Sequence, residues 1–152
     1  MYDTILIPTD GSKEAARAAE HGVELAAAFD ATVHALYVIK LPGAPRTVYV
    51  RDDGEEMRAE YEAHGQEVTG DLCEQAAAAG VDCVAATRTG SIHEEIVDYA
   101  DEEGIDLIVM CSTYRGTIGG LLGSISERVV RTATVPVTTL RMEGEEAAPE
   151  GE

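Results

Sequence analysis

Short β-branched runs alternate along the chain with stretches whose apolar residues recur at helical spacing. Thr4–Thr9 (TILIPT) is the first such run, and it ends at the turn pair Asp10-Gly11. From Ser12 to Asp30, Ala15, Ala19, Gly22, Val23 and Ala26 fall on one helical face, and their small side chains predict a helix that sits close to a sheet. Ala31–Ile39 reads as a second strand. KLPGAPRTVYVRDDG follows, with two prolines and two glycines, and reads as a connection. The spacing of Met57, Tyr61, Val68, Leu72 and Ala76 predicts a long helix stopped by Gly80. VDCVAATRT is a third strand. Ser91 and Glu94 form an S-x-x-E capping box that opens a helix running to about Glu103, closed by Gly104. DLIVMCS is an almost continuous apolar run, the pattern of a strand buried on both faces of a parallel sheet. A helix from Ser124 to Thr132 and a last strand, VPVTTLR, complete the order. The remaining MEGEEAAPEGE is acidic and rich in Gly, Pro and Glu, so residues 142–152 are expected to be a disordered tail.

This order predicts an α/β fold with five parallel strands, doubly wound so that helices cover both faces. Ligands in such folds lie at the carboxyl ends of the strands. Asp10, Val38 and the residues from Cys111 onward are therefore brought toward one edge. The stretch VMCSTYRGTIGGLLGSIS, Val109 to Ser126, passes from strand through a loop with four glycines to a helix start. Backbone N–H groups in that arrangement can hold a phosphate. Two residues carry a second reading. Ser124-Ile125-Ser126-Glu127 is another capping box, and Asp10 suits a turn or cap before the Ser12 helix. Arg115 can balance phosphate charge or bridge to one of the many carboxylates. Pro136 cannot donate within a central ladder, which places the last strand at an edge.

Composition narrows the partners. Asp and Glu number 29 against 11 Lys and Arg, the net charge is −18, and Lys13 and Lys40 are the only lysines. A nucleic-acid partner would need a basic face, and an anionic membrane surface would repel this one. Excess carboxylate with so little lysine predicts a surface suited to concentrated salt, where self-repulsion is screened. The opening MYDTILIPTDGS lacks a basic segment followed by a long apolar one, so a cytoplasmic location is expected. Cys73, Cys83 and Cys111 form no C-x-x-C pair, and an odd count fits no disulfide framework. Cys83 and Cys111 read as small buried apolar residues. His21, His34, His64 and His93 are scattered and read as structural or surface residues. No G-x-S-x-G, Walker lysine or G-x-G-x-x-G fingerprint occurs, so no catalytic residue is assigned.

ILIPTDGS, GSIHEEIVDYADEEGIDLIVM and LLGSISERVVRTATVPV, in this order and spacing, resemble the universal stress protein A family over residues 1–141. That resemblance implies an adenine nucleotide alpha hydrolase-like fold with strand order 3-2-1-4-5. It implies ATP or AMP as ligand, with Mg²⁺ accompanying ATP near Asp10. Matched residue by residue, Pro8, Thr9 and Asp10 would form the loop beside ribose and metal, and the Val38 backbone would read adenine. Met110 matches the residue before the first glycine of the family's G-x2-G-x9-G-[ST] motif. Gly123, Ser124, Ile125 and Ser126 match its phosphate end. The first two motif glycines are replaced by Cys111 and Tyr114, and the loop is one residue shorter. The resemblance also implies a homodimer through the last strand, around Val135, Pro136 and Val137. Two expectations follow: a stress-response regulatory module that binds adenine nucleotide, or an interaction protein of the same fold with Tyr114 filling the pocket.

Overall fold

The computed structural model describes residues 2–40, 52–112 and 124–141. β1 (Thr4–Pro8), α1 (Lys13–Phe29), β2 (Thr32–Ile39), α2 (Asp52–Ala78), β3 (Cys83–Thr89), α3 (Ile92–Glu102), β4 (Leu107–Cys111), α4 (Ser124–Thr132) and β5 (Val137–Leu140) follow one another. The strands form one parallel sheet in the order β3-β2-β1-β4-β5. The predicted doubly wound architecture and its strand order are both found. The acidic tail, residues 142–152, lies outside the described residues.

The helix faces explain how the sheet is covered. Ala15, Ala18, Ala19, Gly22, Val23 and Ala26 are the buried positions of α1. A Cβ on Gly22 would come within 2.5 Å of Ile7 Cδ1, so the absence of a side chain sets how near α1 lies to β1. All five residues of β4 are buried, as expected for a strand between β1 and β5 with helices on both faces. Asp106 fixes the start of β1 from the neighbouring strand. Its Oδ2 accepts from the backbone N–H of Asp3 at 2.8 Å and of Thr4 at 3.0 Å. The Asp3 bond above all holds its carboxyl below the usual carboxylate range.

Three expectations need correction. Cys73 and Cys83 are joined in a disulfide, with Cα atoms 5.3 Å apart; Cys111 stands outside that bond, buried in β4. The end of α2 folds back directly onto the start of β3, which brings together two cysteines ten residues apart. The connection before α2 is shorter than predicted, because Asp52, Asp53 and Gly54 are already helical. Ser91 stands at the N-cap of α3, but its side chain makes no capping bond. There the backbone alone closes the first turn, Glu95 N–H donating to the Ser91 carbonyl at 2.9 Å.

His34 lies 8 % exposed beneath α3, sharing a hydrogen bond of 2.8 Å with the Tyr99 hydroxyl. Arg88 stacks over the Tyr99 ring at 4.9 Å and pairs with Glu102 at 2.8 Å. Burial pushes the His34 imidazole below its ordinary value of 6.5, against the pull of Glu103. Below pH 6.5 the unfolded chain therefore takes a proton that the folded chain declines, and stability falls as pH falls. Denaturant midpoints of wild type and His34→Asn measured at neutral pH and near pH 5 should differ in their pH slopes, the variant losing less. Equal slopes would contradict this account.

Candidate functional site

The end of β1 turns sharply, and its polar groups are consumed in shaping that turn. Thr9 is buried; its N–H donates to the Leu36 carbonyl at 2.9 Å, and its hydroxyl accepts from Gly11 N–H at 3.2 Å. Asp10 Oδ1 accepts from Ser12 N–H at 2.9 Å. Ser12 is the N-cap of α1, its hydroxyl accepting from Ala15 N–H at 3.1 Å. Of the two structural roles open to Asp10, the structure gives it the turn and gives the cap to Ser12. This turn holds the Asp10 carboxylate at the carboxyl end of β1, beside the point where the sheet's order reverses.

Hydrogen-bond alternation along β2 fixes where Val38 presents its backbone. Thr32 and Leu36 bond toward β1, through Asp3 and Thr9; Val33 and Ile39 bond toward β3, through Asp82 and Gly90. Successive residues alternate, so the Val38 peptide groups point to the β1 side. β1 pairs with β2 only as far as Pro8, opposite Leu36. Val38 therefore offers an N–H and a carbonyl just past the end of β1, near Asp10. Donor and acceptor in that position suit the edge of a planar base.

The β4 side is arranged differently. Met110 and Cys111 are both strand residues with buried side chains, so Cys111 belongs to the strand and not to the loop. Ser126, fully buried in the first turn of α4, donates its hydroxyl to the Cys111 carbonyl at 2.7 Å. Ile125 packs against the core. Ser124 opens α4. Arg115, Tyr114 and Gly123 lie outside the described residues, as does the side chain of Ser124.

α2 contributes residues that the sequence did not single out for the site. His64 stands edge-on to Tyr37, ring centres 5.5 Å apart. A Cβ on Gly11 would meet Val68 Cγ2 at 3.0 Å and His64 Nε2 at 3.9 Å, so both side chains line this turn. Burial raises the Tyr37 hydroxyl above its usual range, and the neighbouring charges of Asp10 and Tyr61 add to the rise. Tyr37, Tyr61 and His64 thus gather beside the Asp10 turn. Below them a cleft of about 340 Å³ runs between α1 and α2, lined by Thr9, Gly11, Ser12, His64, Glu67 and Asp71 among others. The signal was present in two halves: Met57, Tyr61 and Gly65 follow i, i+4 spacing, and Tyr37 alternates with Val38. Nothing in the sequence shows that these two faces meet. Among the described residues, no group of three or more His, Cys, Asp or Glu side chains could hold a metal ion. No helix among them is long and apolar enough to cross a membrane.

Known proteins share both the fold and the sequence. The model of the universal stress protein family matches residues 1–141. Universal stress protein MJ0531 of Methanocaldococcus jannaschii is 35% identical over 143 residues, covering 93% of this chain and 83% of its own length. The structure of universal stress protein UspA from Lactobacillus plantarum superposes with a TM-score of 0.84 at 27% identity, over 92% of this chain and 98% of that one. A universal stress protein solved in complex with cAMP superposes with a TM-score of 0.71 at 26% identity, over 93% of this chain and 98% of that one. With the family model matched over residues 1–141 and the strand order in agreement, this chain belongs to the universal stress protein family.

Proposed function

We propose that the chain is a homodimeric regulatory module of the stress response that binds an adenine nucleotide, ATP or AMP, and passes its occupancy to a protein partner in the cytoplasm. The observation that carries this reading is the Val38 peptide facing past the end of β1 beside the Asp10 turn. Pro8, Thr9 and Asp10 would bound the ribose, and the first-turn N–H groups of α4, at Ser124, Ile125 and Ser126, would receive phosphate. The cAMP complex of a structural relative supports a ligand of this class. Met110, Cys111, Arg115 and Gly123 would flank the phosphates, and Mg²⁺ would enter with ATP through its phosphate oxygens near Asp10. We assign no catalytic residue. Phosphoanhydride cleavage needs a group that positions or deprotonates water, and the sequence carries no motif that supplies one.

β5 is an edge strand whose residues are all half-buried, and Val130 on the adjoining α4 is 48 % exposed. A second copy meeting this edge around Val135, Pro136 and Val137 would cover both. A net charge of −18 would repel across such a contact unless salt screened it. Sedimentation should show dimers in concentrated KCl and dissociation or unfolding in dilute buffer; full stability in dilute buffer would refute the salt-adapted surface.

The test of nucleotide binding is twofold. Protein purified in concentrated KCl should release adenine nucleotide on denaturation, and calorimetry should register ATP or AMP. No bound nucleotide and no heat at about millimolar ligand, an affinity of about 4 kcal/mol or weaker, would sink the proposal. That outcome would favour the second reading, an interaction protein with Tyr114 in the pocket. The Ser126–Cys111 bond, which occupies a hydroxyl at the phosphate end, is the observation on its side.

A further inference from the structure

One stretch of this acidic chain is nearly free of charge. Gln75 to Thr87 carries a single charged side chain, Asp82, where the whole chain is 26% charged with a net −18. The stretch closes α2 and makes most of β3, which is an edge of the sheet. The ladder tells the two sides of that strand apart. Val33 N–H donates to the Asp82 carbonyl at 2.9 Å, and Gly90 N–H to the Ile39 carbonyl at 2.9 Å. Peptide groups alternate along a strand, so the even-numbered residues bond to β2. The peptides of Cys83, Ala85, Thr87 and Thr89 therefore face the open side. Among the described residues no strand pairs there.

Proteins blunt unpaired edges with short strands, proline, bulges or charge. The opposite edge, β5, has four residues and follows Pro136. β3 has none of these devices. It pairs with β2 over all seven of its residues without a break in register. The charged side chain within it, Arg88, is drawn away to α3, over the Tyr99 ring at 4.9 Å and to Glu95 and Glu102 at 3.6 and 2.8 Å. Val84 is 43 % exposed, and Ala85 and Thr87 are exposed beside it. Small uncharged side chains let another backbone come within ladder distance, about 4.8 Å.

We propose that β3 is a second self-association surface, at which the same strand of another copy pairs antiparallel and joins two five-stranded sheets. A second copy is the occupant that charge favours. Elsewhere a chain with 29 Asp and Glu would set carboxylate against carboxylate, whereas residues 75–87 bring one acid from each side. A strand that meets itself about a two-fold axis is also self-complementary, each outward N–H finding an outward carbonyl. The surface lies at the edge opposite β5, so it is independent of the dimer and of the nucleotide proposed above.

Sedimentation of the full chain across protein concentrations in concentrated KCl tests this, with Ala85→Pro as the variant. Proline at that position removes only an outward N–H and leaves the ladder to β2 intact. Wild type should gain one step of association that Ala85→Pro lacks. That step takes dimers to tetramers and longer assemblies if β5 also pairs, and monomers to dimers if it does not. Amide exchange of the wild type reads the same contact without a substitution. Ala85 and Thr87 should exchange at least about tenfold more slowly in concentrated than in dilute protein, while Val84 and Ala86 stay protected in both. Association of Ala85→Pro equal to that of wild type would overturn the proposal. So would exchange at Ala85 and Thr87 that does not change with protein concentration, whether fast throughout or slow throughout.

Discussion

Cys83→Ala should lose about 3 kcal/mol of stability relative to the oxidised wild type, and reductant should bring the wild type down to the variant. The estimate follows from chain entropy. Cross-linking residues ten apart removes loop freedom from the unfolded chain worth about 3 kcal/mol in that model. A domain of this size is stable by about 5–15 kcal/mol, so the loss is a large fraction of the total. Denaturant melts with and without reductant check it. Coincident wild-type curves in the two conditions would show that Cys73 and Cys83 contribute nothing. The bond also bears on location, because disulfides are uncommon in a reducing cytoplasm outside some extremophiles. Thiol labelling of the protein as it leaves the cell would show which state it occupies there.

The second large effect is expected at Gly65→Val. A Cβ at this position would meet Tyr37 Cδ2 at 2.7 Å and Thr87 Cγ2 at 2.9 Å. Neither neighbour is the free end of a long side chain, so α2 must lift from β2 and β3. Overpacking of this kind costs about 1–3 kcal/mol, and a β-branched residue gains little helix propensity over glycine to offset it. We expect a loss near 3 kcal/mol for valine. Gly65→Ala should lose less, because alanine recovers up to about 1 kcal/mol of helix propensity. Equal stability of wild type and Gly65→Val would mean that α2 is not seated as described. Because Gly65 sets how closely the Tyr61 and His64 face approaches Tyr37, nucleotide affinity should fall together with stability.

The same helix marks where the sequence could be read and where it could not. α1 was legible because its buried residues form an unbroken small-residue stripe at helical spacing, and β4 because a strand covered on both faces is apolar throughout. Pro136 correctly placed β5 at an edge, although the proline itself precedes the strand. The start of α2, Asp52 to Gly54, was not legible, because Gly54 argued locally against a helix; from Met57 onward the helical spacing could be read. The disulfide was illegible for a different reason. Ten residues of separation say nothing about pairing until the return of α2 onto β3 is known.

At the candidate site, the positions of Asp10 and Val38 near strand ends were legible because strand ends are predictable and the fold gathers them. Those of Tyr37, Tyr61 and His64 were not, since their meeting depends on a contact between Gly65 and a strand about thirty residues earlier in the chain. Ser126 had a motif-based reading toward phosphate. Its hydroxyl turns inward to Cys111 because that carbonyl ends a buried strand and needs a donor.

The proposed adenine-nucleotide site lies at the carboxyl ends of β1 and β2. The most direct test is an amide map by ¹H–¹⁵N NMR of the full chain in concentrated KCl, titrated with AMP. We predict saturable shifts at the Val38, Gly11 and Ser12 amides, with His64 following and the far end of the sheet unmoved. No shift at about millimolar AMP, or shifts confined to residues away from these, would contradict it.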